Sequence, residues 1–184
     1  SMASRWRNAL TMLEISMTTL VGDVLLAAAF VKYAGGFEGS FRTKLIDRAF
    51  LPFLKGLPFK EPADPLAVLT TDVQIAGWAS EHLPNNRTCL ENAAICTSCV
   101  CWPLLIDPQM QGLQWIKKHE EKNGLKIVRL GQKTLMQVLI SCLKYGVPLV
   151  IENMQLQIDA VLNPVIDRKT IKRGRKLLVK VGNN

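Results

Sequence analysis

Trp102–Lys118 reads WPLLIDPQMQGLQWIKK. Its short apolar run, Leu104 to Ile106, has the length and composition of a buried strand. The stretch from Gln111 onward has the spacing of a helix, and the connection between them is tight. A phosphate-binding loop of the form G-x-x-x-x-G-K-[ST] occupies this setting, strand before and helix after. Laid on that frame, the eight positions are Asp107-Pro-Gln-Met-Gln-Gly-Leu-Gln114. Gly112 keeps the second glycine. Asp107 replaces the first, Leu113 replaces the lysine, and Gln114 replaces the hydroxyl that would hold Mg²⁺. A carboxylate would repel the phosphates and leucine offers no cation, so the charge-assisted contacts that make such loops bind are missing. The expectation is strand, degenerate loop, helix, with no functional cofactor site.

A second stretch points the same way. In P-loop ATPases an apolar strand ends in two acids, one organising Mg²⁺ and one polarising the attacking water. Pro148–Asn153, PLVIEN, has the same apolar lead-in. Glu152 stands in the first acidic position. Asn153 stands in the second and cannot act as a base, so no catalytic residue is assigned.

The N-terminal segment carries a different signal. Trp6, Leu10, Leu13, Met17, Leu20, Val24, Ala27 and Val31 recur at alternating spacings of four and three, which is the seam of a coiled coil. From Leu20 onward the helix also carries Val21, Leu25, Ala28 and Phe30, so it turns apolar on several faces, as a helix does on entering a core. No second heptad segment of this length exists in the chain, which places the partner helix outside it. Ser1 and Met2 read as a cloning remnant.

Gly35-Gly36 ends that helix. A further helix is expected at about Ser40–Leu54, a proline-bearing loop between Leu57 and Pro65, and a short helix over Thr71–His82 with Trp78 inward. Leu83-Pro-Asn-Asn86 breaks the pattern, and Thr88-x-x-Glu91 suggests a capping box for a helix reaching about Cys99. The second half alternates: strands at about Trp102–Ile106, Lys126–Leu130 and Pro148–Glu152, helices at Gln111–Glu121 and Lys133–Tyr145, and a further strand at Leu177–Val181. The second helix presents Leu135, Val138, Leu139, Cys142 and Leu143 inward and closes at Gly146. Such alternation predicts a parallel α/β sheet with helices on both faces.

Composition limits the alternatives. Hydrophobic residues make up 48% of the 184 and charged residues 21%, enough apolar surface for a core and too much for disorder. The net charge of +8 is densest at Arg168, Lys169, Lys172, Arg173, Arg175 and Lys176. Few aromatics are interleaved with it and Gly174 marks a turn, so it reads as a solvated basic hairpin and not a nucleic-acid surface. Five cysteines without a leader sequence read as reduced thiols. Cys96, Cys99 and Cys101 invite a zinc reading, but no second ligand pair follows, and His119 lies beyond a strand and a loop. The expectation is no metal. The longest apolar run, Val24–Val31, is short of the ~20 residues of a membrane span, so no membrane is expected.

Taken together, LVGDVLLAAAFVKYAGGFEGSFR (Leu20–Arg42), HLPNNRTCLENAAI (His82–Ile95), WPLLIDPQMQGLQWIKK (Trp102–Lys118) and YGVPLVIENM (Tyr145–Met154) resemble the heavy chains of dynein motors. Two departures are His82-Leu-Pro-Asn85, where the family often has Gly-Leu-Pro before an acid, and Ala93-Ala94, where a glycine is frequent. The resemblance implies the fifth AAA+ module of a six-module motor ring, and the pattern Ile106-Asp-Pro-Gln with Trp115-Ile116 is closer to axonemal than to cytoplasmic members. It implies that residues 3–35 are the return helix of the stalk coiled coil, that 36–100 form the helical part of the module, and that 101–184 form an incomplete AAA+ (P-loop NTPase-like) α/β core continuing beyond Asn184. It further implies a minus-end-directed, ATP- and Mg-dependent microtubule motor of cilia and flagella, in which this module is structural and mechanical. Its partners would be neighbouring AAA+ modules, the stalk helix, microtubules, and intermediate and light chains. The rival readings are a free-standing P-loop nucleotide-binding protein and a nucleic-acid-binding module. Neither explains the heptad seam.

Overall fold

A computed structural model describes residues 2–182. Ser1 of the expected remnant lies outside them. The chain forms two compact units, 1–103 and 104–184.

Unit 1 is helical. Its first element, α1 (Met2–Tyr33), is a single helix of 32 residues. Its buried side chains are Leu26, Ala27 and Phe30, continuing into Ala34 just past the helix end. Gly22, Leu26, Phe30 and Ala34 recur at four-residue intervals, on a face turned about 120° from the heptad seam at 100° per residue, and Ala27 lies between the two. The seam stays outside from Trp6 to Val24: Met17 is 75% exposed, and Trp6, Leu10, Leu13, Leu20 and Val24 are exposed with it, whereas Ala27 is buried and Val31 half-buried. With apolar residues on both faces, α1 is long and apolar enough over Ser4–Tyr33 to cross a membrane by length and composition alone, a property that the contiguous run Val24–Val31 did not reveal.

After α1 the chain forms α2 (Gly39–Leu45), one π turn over Ile46–Phe50 and α3 (Leu51–Phe53), which together make the helix expected over Ser40–Leu54. A short helix not expected from the sequence, α4 (Pro65–Leu69), begins with Asp64 accepting from Leu66 N–H at 2.9 Å. Then comes α5 (Asp72–Ser80), which buries Trp78 as expected. The capping box sits here, not where the sequence suggested. Thr71 Oγ1 accepts from Gln74 N–H, and Gln74 Oε1 accepts from Thr71 N–H at 2.9 Å. In α6 (Arg87–Ser98) the cap is Asn86, whose side chain accepts from Cys89 N–H. Thr88 lies inside the helix, and Glu91 is buried in an ion pair instead of reaching back to the cap.

Unit 2 holds α7 (Gln111–His119), β1 (Lys126–Arg129), α8 (Leu135–Tyr145), β2 (Leu149–Glu152), α9 (Asn163–Ile166), β3 (Ile171–Arg173) and β4 (Lys176–Leu178). β1 and β2 pair in parallel, Lys126 opposite Leu149 through Arg129 opposite Glu152. α8 packs on β1. Leu139, Leu162 and Val181 form the core, with Leu149 and Ile151 of the sheet against it. Of the expected inner face of α8, Leu135, Leu139 and Cys142 are buried, while Leu143 is exposed. Gly146 closes α8 in the left-handed region, φ 68°. β3 and β4 form an antiparallel hairpin turning at Gly174, φ 63°. All six cations expected there are exposed.

One expected strand is absent. Trp102–Ile106 has no strand pairing. Among the described residues β1 pairs only with β2 and β3 only with β4, so this segment has no neighbour to complete a ladder. Its apolar side chains lie outward, Ile106 at 90% exposure. The apolar content was legible, but a strand requires a partner and not only composition.

Candidate nucleotide-loop site

The loop after Ile106 is built around Asp107. Its main-chain oxygen accepts from Met110 N–H at 3.1 Å, closing a four-residue turn. Met110 takes the left-handed conformation, φ 58°, at the cap position of α7 and supplies no side-chain cap. The first amides of a helix have no partners within it. Asp107 provides them, with Oδ1 accepting from Gln111 N–H at 3.0 Å and Oδ2 from Leu113 N–H at 2.9 Å. A carboxylate at this end also meets the positive pole of the helix dipole.

Gly112 fits this arrangement. A Cβ at that position would lie 3.3 Å from Asp107 Oδ2 and 3.2 Å from Leu105 Cδ2. The glycine therefore lets the carboxylate and Leu105 close over the turn. Leu113 is half-buried and Gln114 exposed. One turn on, Trp115 is buried and stacks on His119, with ring centroids 5.1 Å apart, so His119 is engaged in packing.

Glu152 and Asn153 close β2. Glu152 Oε2 accepts from Arg129 Nε at 3.3 Å, directly across the ladder, and Glu152 O accepts from Leu130 N–H at 3.0 Å. Asn153 is exposed and left-handed, φ 59°. The acid is thus tied to a cation of the neighbouring strand. The loop residues are held by Asp107 and Glu152 by Arg129, in separate sets of bonds.

The cysteines have local partners. Cys99 Sγ lies 3.4 Å from Cys96 O and 3.1 Å from Cys101 O, while Cys142 is buried on α8. No group of three or more His, Cys, Asp or Glu able to hold a metal occurs among the described residues.

Sequence reasoning missed the charge cluster of unit 1. Arg42 and Glu91 are 3% and 5% exposed. Arg42 Nη1 donates to Glu91 Oε2 at 3.1 Å, and Arg87 Nε donates to Glu91 Oε1 at 2.6 Å. Arg87 also grips both oxygens of Asp64, at 3.1 and 2.6 Å. That guanidinium holds the Asp64 carboxyl below its ordinary pKa, and the Asp64 and Glu91 carboxylates hold Arg87 above its own. The signal available was weak: a lone Arg at 42 and a Glu at 91, in segments quoted for other reasons.

Comparison with known proteins places these features in context. Residues 76–184 match the family described as the ATP-binding dynein motor region, and residues 1–54 match the microtubule-binding stalk of dynein motor. The alpha chain of the flagellar outer-arm dynein of Chlamydomonas reinhardtii is 45% identical over 186 residues, covering 100% of the chain, and the beta chain is 43% identical over 182 residues, covering 98%. Dynein axonemal heavy chain 11 of Sus scrofa is 43% identical over 182 residues, covering 97%. The chain spans 4% of the length of each of these relatives.

Proposed function

Because this chain belongs to the dynein heavy chains, as part of an axonemal motor, we propose that it is a mechanical module of that motor with a nucleotide site that no longer binds or hydrolyses ATP. The observation that carries this reading is the Asp107 carboxylate on the amides of Gln111 and Leu113. In a working loop such amides face phosphate. Here an anion of the chain itself already satisfies them, and Leu113 and Gln114 supply neither the cation nor the hydroxyl for a replacement. Glu152, paired with Arg129, and Asn153 complete the reading at the strand end.

The parent is read as an ATP- and Mg-dependent, minus-end-directed microtubule motor of the ciliary or flagellar axoneme, and this module as its fifth AAA+ unit. α1 is read as the return helix of the stalk. Its exposed seam from Trp6 to Val24 supports that reading, since an apolar heptad face of this length is a docking surface for a partner helix. The partners proposed for the module are the neighbouring AAA+ units and the stalk helix. Microtubules and the intermediate and light chains belong to the whole motor. Neither nucleic acid nor membrane is among the proposed partners.

Isothermal titration of the chain with MgATP and MgADP tests the inactive site. The expected result is no binding tighter than about 1 mM, equivalent to roughly 4 kcal/mol. A saturable heat below that concentration contradicts it. Leu113→Lys alone is expected not to restore binding, because Asp107 and Gln114 remain.

A further inference from the structure

The end of α1 is held in unit 1 by more than apolar contact. Arg42 lies under the last turn of the helix, and its guanidinium makes five hydrogen bonds. Nε donates to Ala34 O at 3.1 Å and Phe37 O at 2.8 Å. Nη2 donates to Gly35 O at 3.4 Å and to Asn92 Oδ1 at 2.6 Å, and Nη1 donates to Glu91 Oε2 at 3.1 Å. The carbonyls at and just past a helix C-terminus lack partners within the helix and carry its negative pole. One rigid fork therefore joins the turn directly after α1, at Ala34, Gly35 and Phe37, to two neighbouring residues of α6.

A second grip lies three turns earlier. A Cβ at Gly22 would stand 2.3 Å from Pro58 O, so the 58–60 loop lies directly on the helix backbone. The next residue, Asp23, accepts from Lys60 N–H through Oδ1 at 2.8 Å. Between the grips run Leu26, Ala27 and Phe30, with α4, α6 and the π turn packed against the helix. A shift of α1 by one turn, about 5.4 Å, would bring another side chain under Pro58 and carry the acceptor carbonyls away from Arg42.

We infer that Arg42 is a positioning residue that fixes the axial register of α1 in unit 1, so that displacement of the exposed seam passes to α6 and is not absorbed by slippage at the helix end. The path continues from Glu91 to Arg87 and from Arg87 to Asp64, whose carboxylate caps α4. Lysine cannot replace the fork, since a single ammonium cannot span Glu91, Asn92 and the carbonyls together. The inference rests on the mechanical reading above. That reading fails separately, if the chain binds MgATP.

The test uses the complete heavy chain with Arg42→Lys, Arg42→Met and Asn92→Ala. Asn92→Ala removes one acceptor and leaves the buried ion pair intact. Basal and microtubule-stimulated ATPase are measured, together with peptide-level hydrogen exchange. In all three variants basal ATPase is expected to stay at the wild-type rate. Stimulation by microtubules should fall roughly 10-fold in the Arg42 variants, within the usual span of coupling between sites, and by a smaller factor in Asn92→Ala. Exchange should accelerate in peptides covering 30–37 while peptides of α5 keep their protection, which a merely structural loss would not allow. Wild-type stimulation in Arg42→Met, or in Asn92→Ala if the Arg42 variants fail to fold, overturns the inference. So does acceleration spread evenly through unit 1.

Discussion

The two units place their carboxylates differently. In unit 1, Glu91 is buried between two arginines and shares a closed network with Arg42, Arg87 and Asp64. In unit 2, Asp107 lies half-buried at a helix start and accepts from the backbone amides of Gln111 and Leu113, while Glu152 pairs with an exposed arginine. Within that network the Arg42–Glu91 pair is buried while Arg87 is exposed, and a buried, multiply bonded pair is costly to break and specifies one geometry. A half-exposed cap stabilises one turn. The difference separates two tasks, holding a helix in register and keeping a loop closed, and each can be broken without the other.

The largest effect is expected from Glu91→Ala, which leaves Arg42 buried without its anion. A loss of about 3–5 kcal/mol in unit 1 follows, read from urea unfolding with Trp78 as reporter. A loss under about 1 kcal/mol would mean that Arg42 finds other partners. Gly22→Ala comes next. Its methyl must displace Pro58 O, and overpacking of this kind costs about 1–3 kcal/mol. The damage should stay within unit 1, and unchanged stability would show that the 58–60 loop yields freely. Asp107→Ala should cost about 1 kcal/mol, the usual worth of a helix cap. The loss should appear as faster amide exchange at the start of α7 and leave unit 1 untouched.

Acid provides the smallest test. Asp64 has its folded pKa below the ordinary value of 3.8, chiefly through its hydrogen bonds to Arg87. Its contribution is therefore complete above the unfolded pKa and is lost as pH falls through the folded one. Stability of unit 1 should decline below about pH 4, and Asp64→Asn should flatten that decline. An identical slope in the variant would assign the acid sensitivity to other groups.

The apolar spacing of α1 and the basic hairpin were legible because each is a local pattern: residues at alternating intervals of four and three, and cations around a glycine turn. That α1 turns apolar on further faces after Leu20 was legible too, but of the residues singled out for it only Phe30 is buried, and Leu26 beside it carries the contact instead. Trp102–Ile106 was misread as a strand because composition does not supply a pairing neighbour. Thr88-x-x-Glu91 matched a capping box only until Arg42, 49 residues away in sequence, claimed the glutamate. In the motif frame Asp107 stood out only as a charge at a phosphate position. That its carboxylate accepts from the amides of Gln111 and Leu113 depends on the left-handed Met110 turn, which no spacing rule announces.

The central claim is that the loop before α7 is closed by its own carboxylate. The most direct measurement follows the backbone amide resonances of Gln111, Gly112 and Leu113 while MgATP is added to about 1 mM, the concentration corresponding to roughly 4 kcal/mol of binding. The account predicts that these resonances stay in place, with Gln111 and Leu113 remaining bonded to Asp107. Saturable shifts at those amides, with release of the Asp107 carboxylate, would contradict it.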